Sequence, residues 1–127
     1  MSLSNTANAV LAFSVCALST ALHAQDAVMT PEEIQSAWVG KTVIALITSG
    51  PSMGRVVELQ LKADGSAELT GAAADSGAWR LSDKGYCATW KKIRAGKEGC
   101  FTVVRKGSEL LVLNADGSPN TTVTAVR

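Results

Sequence analysis

The chain has 127 residues, with 12 Lys and Arg against 11 Asp and Glu, a net charge of +1 and a single histidine. Charges so nearly balanced exclude a general polyanion binder, which needs a strongly basic surface. The length suits one small domain rather than two.

Residues 7–24 form an apolar stretch interrupted only by small polar residues and His23, the pattern of a secretory signal. Its apolar core, residues 9–18, is too short to span a bilayer of roughly 30 Å, and Leu22-His23-Ala24 sets a small residue ahead of a cut before Gln25. The expected division is a signal peptide over 1–24 and one domain over 25–127, placed in the periplasm or secreted, with no transmembrane span in the mature chain. No Lys or Arg precedes the apolar run, which leaves an uncleaved anchor as the alternative. Cleavage removes His23 and with it any histidine triad, imidazole base or histidine metal site. In an oxidising compartment the remaining cysteines, Cys87 and Cys100, are expected to form a disulfide rather than to ligate metal or act as nucleophiles.

Thr30, Pro31 and Glu33 supply an N-cap, a proline at the first helical position and a capping-box acid at the third. A short helix is predicted from there to about Trp38, ended by Gly40. Beyond it the period changes to alternation, and Gly, Asp, Ser and Pro recur as breakers. Eight strands are predicted, at residues 42–47, 56–62, 67–71, 78–81, 86–90, 100–105, 109–113 and 121–126. The connectors are too short for parallel crossovers, so the strands form an antiparallel meander. Unprotected edges template aggregation, and closure removes them. The predicted fold is therefore all-β, a small eight-stranded up-and-down barrel with a short N-terminal helix.

Opposing Cys87 to Cys100 sets Tyr86 opposite Phe101 and puts both rings on one face with Ala88, Trp90 and Val103. A turn at Asp83-Lys84 adds Trp79 and Leu81 to that face, and a turn at Lys106-Gly107 brings Leu111 and Leu113 against Val103 and Phe101. The cysteines then lie on the opposite side. Val57, Leu59 and Leu61 face Gly71, Leu69 and Ala67. The turns Ala63-Asp64-Gly65-Ser66 and Ala115-Asp116-Gly117-Ser118 are identical, each read as a three-residue hairpin loop with left-handed glycine; a duplicated hairpin is one explanation and independent origin the other.

The helix leading into Trp38-Val39-Gly40-Lys41 resembles the lipocalin-like group of small exported barrels. The run Gly77-Ala78-Trp79-Arg80, then Tyr86-Cys87-Ala88-Thr89-Trp90, then Cys100-Phe101-Thr102-Val103 resembles bacterial exported families of unknown function. These resemblances imply fold and export without implying chemistry. The lipocalin signature places glycine two residues before tryptophan, whereas here tryptophan comes first. An eight-stranded barrel is wide enough to be filled by side chains or to hold one small ligand; with Trp79, Trp90, Tyr86 and Phe101 turned inward, filling is the expectation.

No catalytic residue, cofactor or metal site is expected. The strand acids Glu58 and Glu68 alternate with core residues and point to solvent, and Asp64, Asp75, Asp83 and Asp116 cap their own turns. Gly50-Pro51-Ser52-Met53-Gly54-Arg55 lacks the ending that makes a phosphate loop work, but it is long enough to overhang a barrel end, where Met53 and Arg55 would meet a partner. The hairpin tip between the cysteines carries Lys91, Lys92, Arg94 and Lys97 against Glu98, suiting an anionic envelope lipid, glycan or protein surface. Nucleic acid is not expected, since no aromatics interleave the tip. The leading expectation is a monomeric, non-catalytic exported module that binds a protein or envelope component, inhibitor-like proteins included. The alternative is a carrier of a small apolar ligand beside Trp79 and Trp90, and an enzyme using carboxylates or lysines comes third.

Overall fold

The Thr30 hydroxyl accepts the Glu33 N–H at 3.1 Å and the Glu33 carboxylate accepts the Thr30 N–H at 2.9 Å, so the capping box starts a helix where the sequence places it. This is a computed structural model describing residues 27–127; the expected signal peptide lies outside the described residues. A two-residue strand, β1 (Ala27–Val28), precedes helix α1 (Pro31–Trp38). Ile34 and Trp38 are fully buried, since spacing of four residues turns both to one helix face.

Eight longer strands follow: β2 (Thr42–Ile47), β3 (Val56–Leu61), β4 (Ser66–Gly71), β5 (Asp75–Leu81), β6 (Tyr86–Trp90), β7 (Gly99–Lys106), β8 (Glu109–Asn114) and β9 (Pro119–Val126). Each pairs antiparallel with the next, and β9 returns to β2, closing the predicted eight-stranded barrel. Among the described residues no helix is long and apolar enough to cross a membrane. β6 has five residues and β7 eight, so β6 covers only Gly99 to Phe101 of its neighbour. β1 fills the gap, setting Val28 opposite Val104 and Ala27 opposite Arg105, and the Met29 N–H continues the ladder to the Val103 carbonyl at 2.8 Å. A strand edge that would otherwise lie open is thereby covered.

Alternating strand direction sorts the connections to two ends. One end collects α1, the turns at 62–65 and 82–85, and the β7–β8 turn; Trp38, Ile34 and Met29 plug it. The other collects residues 48–55, 72–74, 91–98 and 115–118 and has no helix across it.

Most of the predicted register holds. Tyr86 faces Phe101, Cys87 faces Cys100, Trp79 and Leu81 face Ala88 and Tyr86, and Val57, Leu59 and Leu61 face Gly71, Leu69 and Ala67. The β7–β8 hairpin differs. Lys106 pairs with Glu109, so the turn is Gly107-Ser108, with Gly107 at φ +63°, rather than Lys106-Gly107. That one-residue shift turns Val112 inward against Val103 and leaves Leu111 and Leu113 half-buried on the outer face, because side chains alternate along a strand. Glycine at the first turn position supplies the positive φ that a tight hairpin turn needs.

The two identical turns have matching geometry. Asp64 accepts the Ser66 N–H at 2.9 Å and its hydroxyl at 2.6 Å, and Asp116 does the same for Ser118 at the same distances. They lie at opposite barrel ends, because an odd number of strands separates their hairpins.

Candidate functional site

The open end is organised by a carboxylate from outside its own loop. Asp75, the first residue of β5, accepts the backbone N–H groups of Lys92 and Ile93, both at 2.8 Å, with one oxygen, and that of Ser76 at 2.8 Å with the other. Partial removal from water raises the pKa of this carboxyl, but the N–H groups of Ile93, Lys92 and Ser76 outweigh that and hold it below its ordinary value. Asp75 is thus a latch across two hairpins rather than a cap of its own turn.

Past the latch the tip makes a short 3-10 turn, Ile93–Gly96, in which Arg94 (φ +59°) and Ala95 (φ +54°) are left-handed. That conformation costs a non-glycine residue roughly 1–2 kcal/mol and persists only where the surroundings impose it. One result is that the Arg94 side chain folds back over Gly99, where a Cβ would lie 3.0 Å from its Nε. Gly99 leaves the room that Arg94 occupies.

Glu98, the acid of the tip, is taken by Arg80 through two 2.9 Å hydrogen bonds, and this pairing lowers its pKa. Among the described residues, Lys91, Lys92, Arg94 and Lys97 form no ion pair. The 48–55 connection lies at the same end. It is held by Ile47 N–H to the Arg55 carbonyl at 2.8 Å and Gly54 N–H to the Ile47 carbonyl at 2.8 Å, and it presents Met53 at 62% exposure beside exposed Arg55 and Val56.

Beneath these loops the interior holds a cavity of about 200 Å³. Side chains therefore do not fill the barrel as expected: the rings of Trp38, Tyr86, Trp90 and Phe101 and the small side chain of Ala45 line a space that none of them occupies. Trp38, Tyr86 and Val43 line the cavity toward the plugged end; Trp90, Ile93, Arg94, Asn120 and Thr121 line it toward the open one. The Tyr86 ring lies 5.2 Å from that of Phe101 and 6.0 Å from that of Trp38. Burial pushes its hydroxyl pKa far up, so it remains a neutral phenol.

The structure separates the two tryptophans proposed as ligand contacts. Trp90 lines the cavity, while Trp79 does not and donates its indole N–H to the Lys62 carbonyl at 2.7 Å. Met53, Arg55, Lys91, Lys92, Arg94 and Lys97 all gather at the open end, a grouping that needs the strand directions to be seen. Cys87 and Cys100 are bonded to each other. They lie near Glu98, but as a disulfide they have no thiolate for a metal.

Sequence reasoning missed Asp75 as the latch, together with Ile93, Asn120 and Thr121 as lining. Asp75 carries no local signal for this role: in the sequence it is an acid in the polar run ahead of the predicted strand at 78–81. Comparison of the chain with protein-family models, with curated proteins and with solved structures finds no match.

Proposed function

We propose that the protein is an exported, non-catalytic binding module that works through the open end of its barrel, on an envelope component or a protein. The observation that carries this reading is a shared location: unpaired cations, an exposed methionine and the cavity mouth lie together at one end, and α1 closes the other. The absence of any buried charged side chain among the described residues favours binding over acid–base chemistry. Closed eight-stranded architecture behind a short helix is in keeping with kinship to lipocalin-like exported barrels, inhibitor-like proteins included. Charge reversal by Lys91→Glu, Lys92→Glu and Lys97→Glu should release the protein from phosphatidylglycerol vesicles or from the anionic partner captured by the native chain, with the melting temperature changed by no more than a degree or two. Equal capture by the reversed and native proteins would reject the basic tip as the contact.

The cavity favours a second reading, a carrier of a small apolar ligand. An apolar cavity of roughly 150 Å³ holds a benzene ring, and the space here is somewhat larger. Quenching of tryptophan fluorescence by apolar probes, lost when Ala45→Leu fills the space, tests it.

A further inference from the structure

Building on the cavity reading, we propose that the open end is a site for a single-chain amphiphile with a carboxylate head, held by the Arg94 guanidinium at the mouth, with its apolar tail inside the barrel. Arg94 is the one charged residue in a lining otherwise made of apolar and aromatic side chains, Asn120 and Thr121. Such a surface has one place for a charge and no internal acid to compete for the cation.

The backbone that carries the guanidinium is fixed beside the mouth. Asp75 fixes the amides of Lys92 and Ile93, the chain then turns left-handed at Arg94 and Ala95, and the exposed side chain lies back across Gly99 at the rim of the cavity. Backbone strain of this kind collects at binding sites, where the surrounding structure sustains it. Glu98, the acid of the tip, is already engaged by Arg80, and Arg94 forms no ion pair among the described residues, so its planar fork of donors is unpaired. That fork matches the two oxygens of a carboxylate.

Volume sets the tail. A space of about 200 Å³ is below the 300–1,000 Å³ typical of pockets for drug-sized ligands and excludes a two-tailed lipid. It suits a ring or short alkyl chain of about six to eight carbons, judged from the benzene-sized cavity. Neutral Tyr86 and Trp38 close the inner end, so a second charge on the tail would be buried without a partner. Monocarboxylates are favoured over dicarboxylates for that reason.

Calorimetric titration of the disulfide-bonded protein with octanoate and with 1-octanol separates head from tail. Octanoate should bind the native chain, and Arg94→Gln should weaken it roughly tenfold or more, the value of a charge-assisted hydrogen bond, while 1-octanol binding changes little. Arg94→Lys, which keeps the charge and loses the fork, should fall between. Equal octanoate affinity in native protein and Arg94→Gln, both melting alike, would overturn the assignment of the head while leaving the cavity reading standing. If neither probe binds the native protein, the cavity reading fails and the site with it.

Discussion

The Asp75 carboxylate accepts the Ile93 N–H at 2.8 Å across a separation of 18 residues, tying the start of one strand to the tip of the hairpin that follows. Asp75→Asn keeps the shape but removes the charge that strengthens three backbone hydrogen bonds. Hydrogen exchange should then quicken several-fold at the Lys92 and Ile93 amides, with a drop of a few degrees in melting temperature. Unchanged protection would show that the tip holds its turn without the latch. The pH dependence has a definite sign. A folded pKa below the ordinary 3.8 means that the contribution is whole above 3.8 and is lost as pH falls through the folded value. Tip opening, corrected for intrinsic exchange, should therefore rise on the acid side only.

Tyr86 is the only tyrosine in the chain, so phenolate absorbance reports it alone. Burial raises its pKa above the ordinary 10.0, and an acid whose folded pKa is raised adds stability below 10.0 that is lost as pH rises toward the folded value. Absorbance at the phenolate band should therefore appear together with loss of near-ultraviolet circular dichroism, in one transition. Titration of Tyr86 near pH 10 in a protein that is still folded would contradict its burial.

Cys87 and Cys100 close a loop with a sequence separation of 13. Replacing both by serine should cost about 3 kcal/mol in the chain-entropy account of cross-links, measured by urea unfolding against the oxidised native protein. Two alkylatable thiols in the unreduced, denatured protein would refute the bond itself.

Gly77 and Gly107 make a paired test of why glycine is needed. A Cβ at Gly77 would clash with the Thr89 carbonyl oxygen, backbone that no rotamer relieves, whereas one at Gly107 meets nothing within 4 Å and only the φ of +63° resists it. Gly77→Ala should destabilise by about 3 kcal/mol or more and Gly107→Ala by about 1–2 kcal/mol. Urea unfolding of the two variants should preserve that order.

The architecture was legible because its signals are local. Thr30, Pro31 and Glu33 mark the helix start by side-chain chemistry, the Asp64 and Asp116 turns carry their own hydrogen bonds, and Cys87 opposite Cys100 anchors one register from which its neighbours can be counted. Legibility failed where a single residue of turn length decides the outcome: Gly107 opens the β7–β8 turn one position later than composition suggests, exchanging Val112 for Leu111 and Leu113 in the interior. It failed again at the open end. Nothing in a linear reading connects Asp75 to Ile93, predicts left-handed φ at Arg94, or shows that side chains far apart in the chain line a common space.

The seam between β2 and β9 differs from every other join in the ring. Thr42 and Arg127 exchange backbone hydrogen bonds at 2.8 and 3.0 Å, and Thr124 reaches the Ile44 carbonyl across 80 residues. All other neighbours along the barrel are successive strands that a short connection brings together. Zipping this pair carries the largest loop-closure entropy and makes it the natural last step of assembly. Until it forms, β2 and β9 each display a bare row of amides and carbonyls, and two chains at high concentration can trade these strands instead of closing on themselves. Dilution, which favours closure within one chain, should govern whether refolding yields single rings or exchanged pairs.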